Sequence, residues 1–302
     1  MKKENYFSSP GISNSDMENF IISPEYFLAV KQNKYKKEES GSMKKGSIKH
    51  KMILEKEDFY KDYFIQTEPL SSKQKEFIDN IISAKNKFPM MENSMLDEIH
   101  KAVYTTSKKD DGVNLAKKLM ERIEAEEKNL IPITRAEWMS AKRASEIFES
   151  SPSASKLLEY AIIREQEFYF NYKDLLCRAK IDGCGISSEE KDVGIILDLK
   201  THDMPISQNE FIQRMNDKGI KRQLTFYELA IKNTPGYSEL FKDVKLLRKF
   251  VISVDPVAVR IYEISEESAM EQRTKIDSIL DEIKYCIDNN AWRKKSESWT
   301  LV

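Results

Sequence analysis

The chain has 302 residues, with 49 Lys+Arg against 50 Asp+Glu and a formal net charge of −1. With 40% apolar and 33% charged residues it is too apolar for a disordered chain and too charged for an integral membrane protein, and it is long enough for one large core or two small ones. Gly and Pro number nine each, about half of ordinary usage, which is roughly 12%, so a helix-rich chain is expected. No apolar run approaches the roughly 20 residues that span a bilayer. Met1-Lys2-Lys3-Glu4-Asn5 has no apolar segment behind it, so no secretory signal is expected and a cytoplasmic location is. The three cysteines, Cys177, Cys184 and Cys286, form no CxxC, which disfavours a disulfide framework, a zinc ribbon and a four-cysteine iron–sulfur cluster. The near-zero net charge gives no global sign of nucleic acid. A DNA-binding surface would have to be a local patch.

Along the chain, Asp16–Val30 reads as two short helical pieces, with Pro24 in the first turn of the second. Lys31 to Lys51 holds eight lysines against Glu38 and Glu39. It is either a solvated loop or a basic arm that touches phosphate. Helical spacing resumes at Gly46–Glu55, and Phe59–Phe64 reads as a short strand. From Ser71 to about Tyr160 helix follows helix, beginning with an amphipathic stripe at 77, 78, 81 and 82 behind a serine cap. Residues 65–160 therefore read as a helical block within a single domain, between an N-terminal segment 1–64 and an α/β core 161–293, with a tail 294–302. In the core, Ile162–Phe170, Leu175–Ile181 and Val193–Leu199 read as strands joined by turns at Asn171–Asp174 and Gly183–Asp192. Helices Gln208–Met215 and Ile220–Lys232 follow, then strands Leu246–Val254 and Val257–Ile264 and a closing helix Ser265–Asn289. The order is that of an α/β fold in which a three-strand meander precedes a helix.

The chemistry concentrates at two strand ends, Lys180-Ile181-Asp182-Gly183 and Leu197-Asp198-Leu199-Lys200-Thr201. Alternation puts Asp198 and Lys200 on one face. If the strands are neighbours, Asp182 and Asp198 meet at one end of the sheet, where two hard carboxylates suit Mg²⁺ and a lysine can offset charge developing at a phosphate. Taken alone, an Asp-x-Lys at a strand end simply faces water. Trp138, Trp292 and Trp299 read as packing residues rather than base-stacking ones, His100 as structural, and His202 as a strand-end surface residue. No Walker A loop, GxGxxG or helicase signature is present, so no ATP motor is expected.

The surrounding residues make the pattern specific. AKID, followed by LDLKT with its Asp sixteen positions further on, resembles the PD-(D/E)XK nuclease superfamily. Gln223 and Tyr227 in RQLTFYELA resemble the Q-xxx-Y motif of its RecB-type branch, and Gly46-Ser47-Ile48-Lys49-His50 resembles that branch's upstream G-xxx-H motif. The order of segments over about residues 12–293 is most similar to the nuclease domain of the RecE (exonuclease VIII) family, and the likeness is thinnest over the helical block. Two departures are Ile181, where many members have proline, and His202, where many have Thr or Ser.

The resemblance implies a restriction-endonuclease-like α/β fold, a central mixed sheet flanked by helices. It implies that Asp182, Asp198 and His50 hold Mg²⁺, or Mn²⁺ in its place, with a strand glutamate, Glu165 or else Glu167, and the Leu199 carbonyl as further ligands. It assigns the catalytic lysine to Lys200 and its orientation to Gln223 and Tyr227. It further implies a 5′→3′ exonuclease that acts on double-stranded DNA ends and leaves a 3′ single strand. A RecT-like annealing partner, a ring of three or four copies and a phage or prophage home also follow from it, while the cysteine count and the missing Walker A loop leave no iron–sulfur cluster and no ATP to be expected. The other readings are an endonuclease or repair nuclease of the same superfamily, and an inactive DNA-binding module.

Overall fold

Helices begin where side chains satisfy the first backbone N–H groups. The Ser13 hydroxyl accepts from the Asp16 N–H and the Asp16 carboxylate accepts from the Ser13 N–H, a reciprocal cap that opens α1 (Asn14–Ile22). Ser23 caps α2 (Pro24–Lys31), with Pro24 where a missing N–H costs nothing. The computed structural model describes residues 10–35, 41–88, 90–105, 108 and 110–292. Lys36, Lys37, Trp299 and the tail 294–302 lie outside the described residues. α3 (Gly41–Leu54) takes in Lys44, Lys45, Lys49 and Lys51. The second half of the lysine-rich segment is thus helix, not loop or arm, and helical structure starts five residues before Gly46.

The chain divides into two compact units, Met1–Leu54 with Arg143–Val302, and Glu55–Lys142. The second unit opens with a 3-10 turn (Lys56–Asp58), α4 (Phe59–Asp62) and β1 (Tyr63–Gln66). The strand expected from Phe59 starts only at Tyr63, because Phe59 turns inward in a helical turn and stacks on Tyr63 at 5.0 Å. Then come α5 (Ser72–Lys87), α6 (Asn93–Tyr104), α7 (Asp111–Lys118) and α8 (Met120–Glu127), the last two separated at Leu119. β2 (Ile131–Thr134), which takes up the start of the expected run of helices at Ile133 and Thr134, pairs in parallel with β1. Its β-branched residues favour extended backbone, and a two-stranded sheet has only edges, where Pro132 is tolerated. Phe77, Ile78, Ile81, Val103 and Ile123 form this unit's core. His100 packs edge-on to Phe77 and stacks on Tyr104 at 4.4 Å, the structural role expected of it.

The first unit is built on a five-stranded sheet. After α9 (Arg135–Glu149) and α10 (Pro152–Tyr160) come β3 (Ile163–Tyr172), β4 (Leu175–Ile186) and β5 (Val193–Thr201). α11 (Gln208–Asp217), α12 (Ile220–Asn233), α13 (Tyr237–Leu240), β6 (Leu246–Val254), β7 (Val259–Glu263) and α14 (Glu266–Asn289) complete it. The strands lie in chain order; β5 and β6 are parallel and all other neighbours antiparallel. Lys173 and Asp174, at φ 52° and 58°, make the tight turn between β3 and β4. β5 alternates cleanly. Ile196 joins a core made with α1, α2, α11, α12 and α14, whereas Ile195, Leu197 and Leu199 join one made with α3, α9 and α10. Both faces of the sheet are therefore buried. Among the described residues, no helix is long and apolar enough to cross a membrane.

β4 runs on through Gly183 and Gly185, which the sequence reading placed in a turn. Here glycine serves close approach rather than reversal: a Cβ on Gly185 would meet the Tyr160 carbonyl oxygen at 1.9 Å, and one on Gly183 the Leu197 side chain at 2.6 Å. Backbone cannot yield as a side chain can. Gly185→Ala should destabilise the protein by about 3 kcal/mol or more in urea unfolding, above the usual cost of overpacking; a loss below about 1 kcal/mol would refute this account of β4.

Candidate functional site

The sheet parts at one place, and the site forms there. β4 and β5 pair from Ile186 opposite Gly194 to Gly183 opposite Leu197. One further step would set Asp182 opposite Asp198, but the ladder stops short of it. Instead the Asp182 carboxylate accepts a hydrogen bond from the Leu199 N–H at 2.7 Å. A side chain takes the place of a strand as acceptor, and the backbones separate.

β3 bends at the matching position. Its register with β4 runs through Arg164 opposite Gly183 and Gln166 opposite Ile181, and between them Glu165 has φ 50°. That is the left-handed region, strained for a residue with a side chain. The inward face changes phase across both kinks: Ile163 and Phe168 both pack on the α12 side, as do Ile181 and Cys184. The kinks bring Glu165 and Asp182 to His50 on α3. Ligand atoms of His50, Glu165 and Asp182 all lie within 4.8 Å of one another, with His50 Nδ1 3.8 Å from Asp182 Oδ2. An imidazole and two carboxylates make a donor set that suits Mg²⁺ or Mn²⁺.

Asp198 and Lys200 share the α12 face of β5, two residues apart as the pleat requires. Lys200 Nζ donates to Asp198 Oδ1 at 2.9 Å and to Gln223 Oε1 at 3.2 Å. The Gln223 amide in turn donates to the Tyr227 hydroxyl one helical turn on. Asp198 is fully buried; its Oδ2 accepts no hydrogen bond, although the ammonium lies 2.8 Å away.

Burial dominates the electrostatics. It pushes Asp182 and Asp198 up to about 6, against the pull of Lys200. It pushes His50 down to about 4, so the imidazole is neutral and free to act as a ligand. Burial also works against the charge on Lys200, but Asp198 and Asp182 outweigh it and hold its pKa above the ordinary lysine value.

Of the residues expected from sequence, His50, Glu165 and Asp182 gather in one group, and Asp198, Lys200, Gln223 and Tyr227 in an adjoining chain of contacts. Leu199 reaches the site through its N–H. Glu167 stands outside the three-residue group and accepts from the Tyr169 hydroxyl at 3.4 Å. His202 is half-buried, edge-on to Phe211 at 5.5 Å, rather than on the open surface expected of it. Trp292 stacks on Phe27 at 5.8 Å, as a packing residue does. Lys180, which the sequence reading gave no role, forms a close ion pair with Glu165. The signal was there: Lys180-x-Asp182 has the same spacing as Asp198-x-Lys200.

No protein-family model and no curated protein matches this sequence. Among solved structures, the chain is similar to a "putative exonuclease" from Eubacterium rectale, at 12% identity and a TM-score of 0.45 over 99% of this chain and 96% of that one.

Asp182 offers a test of the site's electrostatics. Its folded pKa lies above the ordinary 3.8, so its contribution to stability is full below about pH 4 and is lost as pH rises through about 6. Asp182→Asn keeps an acceptor for the Leu199 N–H without the buried charge. In EDTA at pH 7.5 it should melt a few degrees higher than the parent, and the gain should fade by pH 4. An equal or lower melting temperature at pH 7.5 would count against the burial of this charge.

Proposed function

We propose that this protein is a divalent-metal-dependent nuclease that hydrolyses phosphodiester bonds of DNA. The observation that carries this reading is the Lys200 ammonium, held between Asp198 and Gln223 beside the His50–Glu165–Asp182 group. Desolvated acids this close together cost stability, and such groups cluster at functional sites. The donor set fits a hard cation: a neutral imidazole and two clustered carboxylates, with the buried, lysine-paired Asp198 carboxylate beside them.

His50, Glu165, Asp182 and Asp198 would hold the cation. When bound, it supplies Lewis-acid polarisation of the phosphoryl oxygen and lowers the pKa of water. Lys200 keeps its proton under its two acidic neighbours. It is therefore a donor that orients water by hydrogen bonding and offsets negative charge at the phosphorane, not a general base. Gln223 and Tyr227 set the direction of that ammonium. These assignments match the RecE-like motif pattern position by position. That pattern also motivates the finer reading: attack at duplex ends in the 5′→3′ direction, a ring of three or four copies around DNA, and a RecT-like protein taking up the 3′ strand.

The assay is linear duplex DNA labelled separately at each end, with Mg²⁺, a closed circle and an EDTA control. Release of 5′ label from linear DNA and an intact circle are expected. Nicking of the circle would make the protein an endonuclease, and no cleavage in Mg²⁺ or Mn²⁺ would overturn the proposal. Lys200→Ala should lower the single-turnover cleavage rate by about 10²–10³-fold or more, while duplex binding measured by anisotropy stays within a few-fold.

A further inference from the structure

One buried charge lies beside this site without belonging to it. Lys49 precedes His50 on α3, and its side chain is 5% exposed. Ammonium groups are almost never buried to this degree without firm partners. Lys49 Nζ donates to the His202 carbonyl at 3.0 Å and to Asp203 Oδ1 at 2.6 Å. Lys45, one turn earlier on the helix, reaches the other oxygen of the same carboxylate at 3.3 Å. The receiving loop is itself fixed. The His202 N–H donates to the Val254 carbonyl at 2.8 Å, and the Ile206 N–H donates to the buried Asp255 at 3.3 Å. Residues 202–206 are thus tied to the end of β6.

The position of this contact sets its consequence. The first turns of α3 are largely exposed, and burial begins at Ile48 and Lys49. Past that point apolar side chains hold the helix, and apolar contact fixes depth better than it fixes sliding and rotation. Two directed, charge-assisted hydrogen bonds at Lys49 fix both. Their acceptors follow Lys200 by two and three residues. The contact therefore ties the helix that carries His50 to the strand end that carries Asp198 and Lys200.

We infer that Lys49 is a positioning residue, which through its clamp on His202 and Asp203 holds His50 at the distance from Asp182 and Glu165 that a divalent cation requires. This rests on the metal-site reading above. Residues that orient a metal ligand typically change metal affinity by about 10–100-fold when lost, and Lys49 should do so only through His50.

The experiment is a double-mutant cycle in Mn²⁺ affinity, with free Mn²⁺ read by electron paramagnetic resonance on the full chain. Lys49→Met, which keeps the apolar stem, should weaken Mn²⁺ binding by about 10–100-fold. In a His50→Ala background it should add no more than about two-fold, because the residue it positions is gone. Unchanged affinity in Lys49→Met, or an equal loss in both backgrounds, overturns the inference and leaves the metal site standing. Failure of the parent protein to bind Mn²⁺ overturns the metal site and the clamp together. If Lys49→Met does not fold, Asp203→Ala removes the carboxylate half of the clamp from its half-exposed side, and a smaller loss, with the same non-additivity with His50→Ala, is expected; additivity there overturns the inference too.

Discussion

The site depends on one hydrogen bond, from the Leu199 N–H to the Asp182 carboxylate. A continuous ladder would have paired Asp182 with Asp198 through their backbones and sent their side chains off along the ordinary pleat. With the carboxylate serving as acceptor, β4 and β5 separate without leaving a buried N–H unsatisfied. The strain this requires is visible at Glu165, whose φ is positive in the middle of a strand. Strain of this kind persists only where the surroundings over-determine it. Here the sheet pairs normally on either side of the kink, and two buried cores hold it from both faces.

Separation of the strands gives the site its electrostatic character. A buried and a half-buried aspartate stand beside one lysine and a neutral histidine, with a second lysine, Lys180, paired to Glu165. Desolvation raises both aspartates, while Lys200 stays protonated under their charge. A protein shaped by stability alone would fill this place with apolar residues. An arrangement that disfavours its own charges is one that a cation relieves.

Helix α12 supplies the other half of the arrangement, and does so through packing. Its apolar residues Leu224, Phe226, Leu229, Ala230 and Ile231 lie in the core on one side of the sheet. That seats Gln223 and Tyr227, on the same face one turn apart, over the Asp198–Lys200 side of β5. On the opposite side of the sheet, α3 enters the core at its C-terminal end through Ile53 and Leu54. The two halves of the site therefore reach β5 from opposite faces, and they meet only where the strands have parted.

Much of this was legible in the amino-acid order. Short apolar runs bounded by turns located all five strands of the main sheet, and the serine cap at 71 and Pro24 located helix starts, because these signals are local. Asp198-x-Lys200 and the Gln223–Tyr227 spacing placed those pairs on common faces by periodicity alone. Signals that depended on partners did not come through. Gly183 and Gly185 read as a turn because the Tyr160 carbonyl and Leu197 that crowd them are distant in sequence. Ile133 and Thr134 read as the start of a helix because their strand partner, β1, lies 68 residues earlier. Lys49 read as one lysine of a basic segment and Lys180 drew no role, since nothing nearby in sequence announces Asp203 or Glu165 as their partners. By itself the sequence determined which residues share a face and which elements carry the chemistry, because backbone geometry sets those relations over a few residues. Only the tertiary structure decided where the sheet opens, which glutamate turns toward His50, and what holds α3 against β5, because those are contacts between segments that meet only in the folded chain.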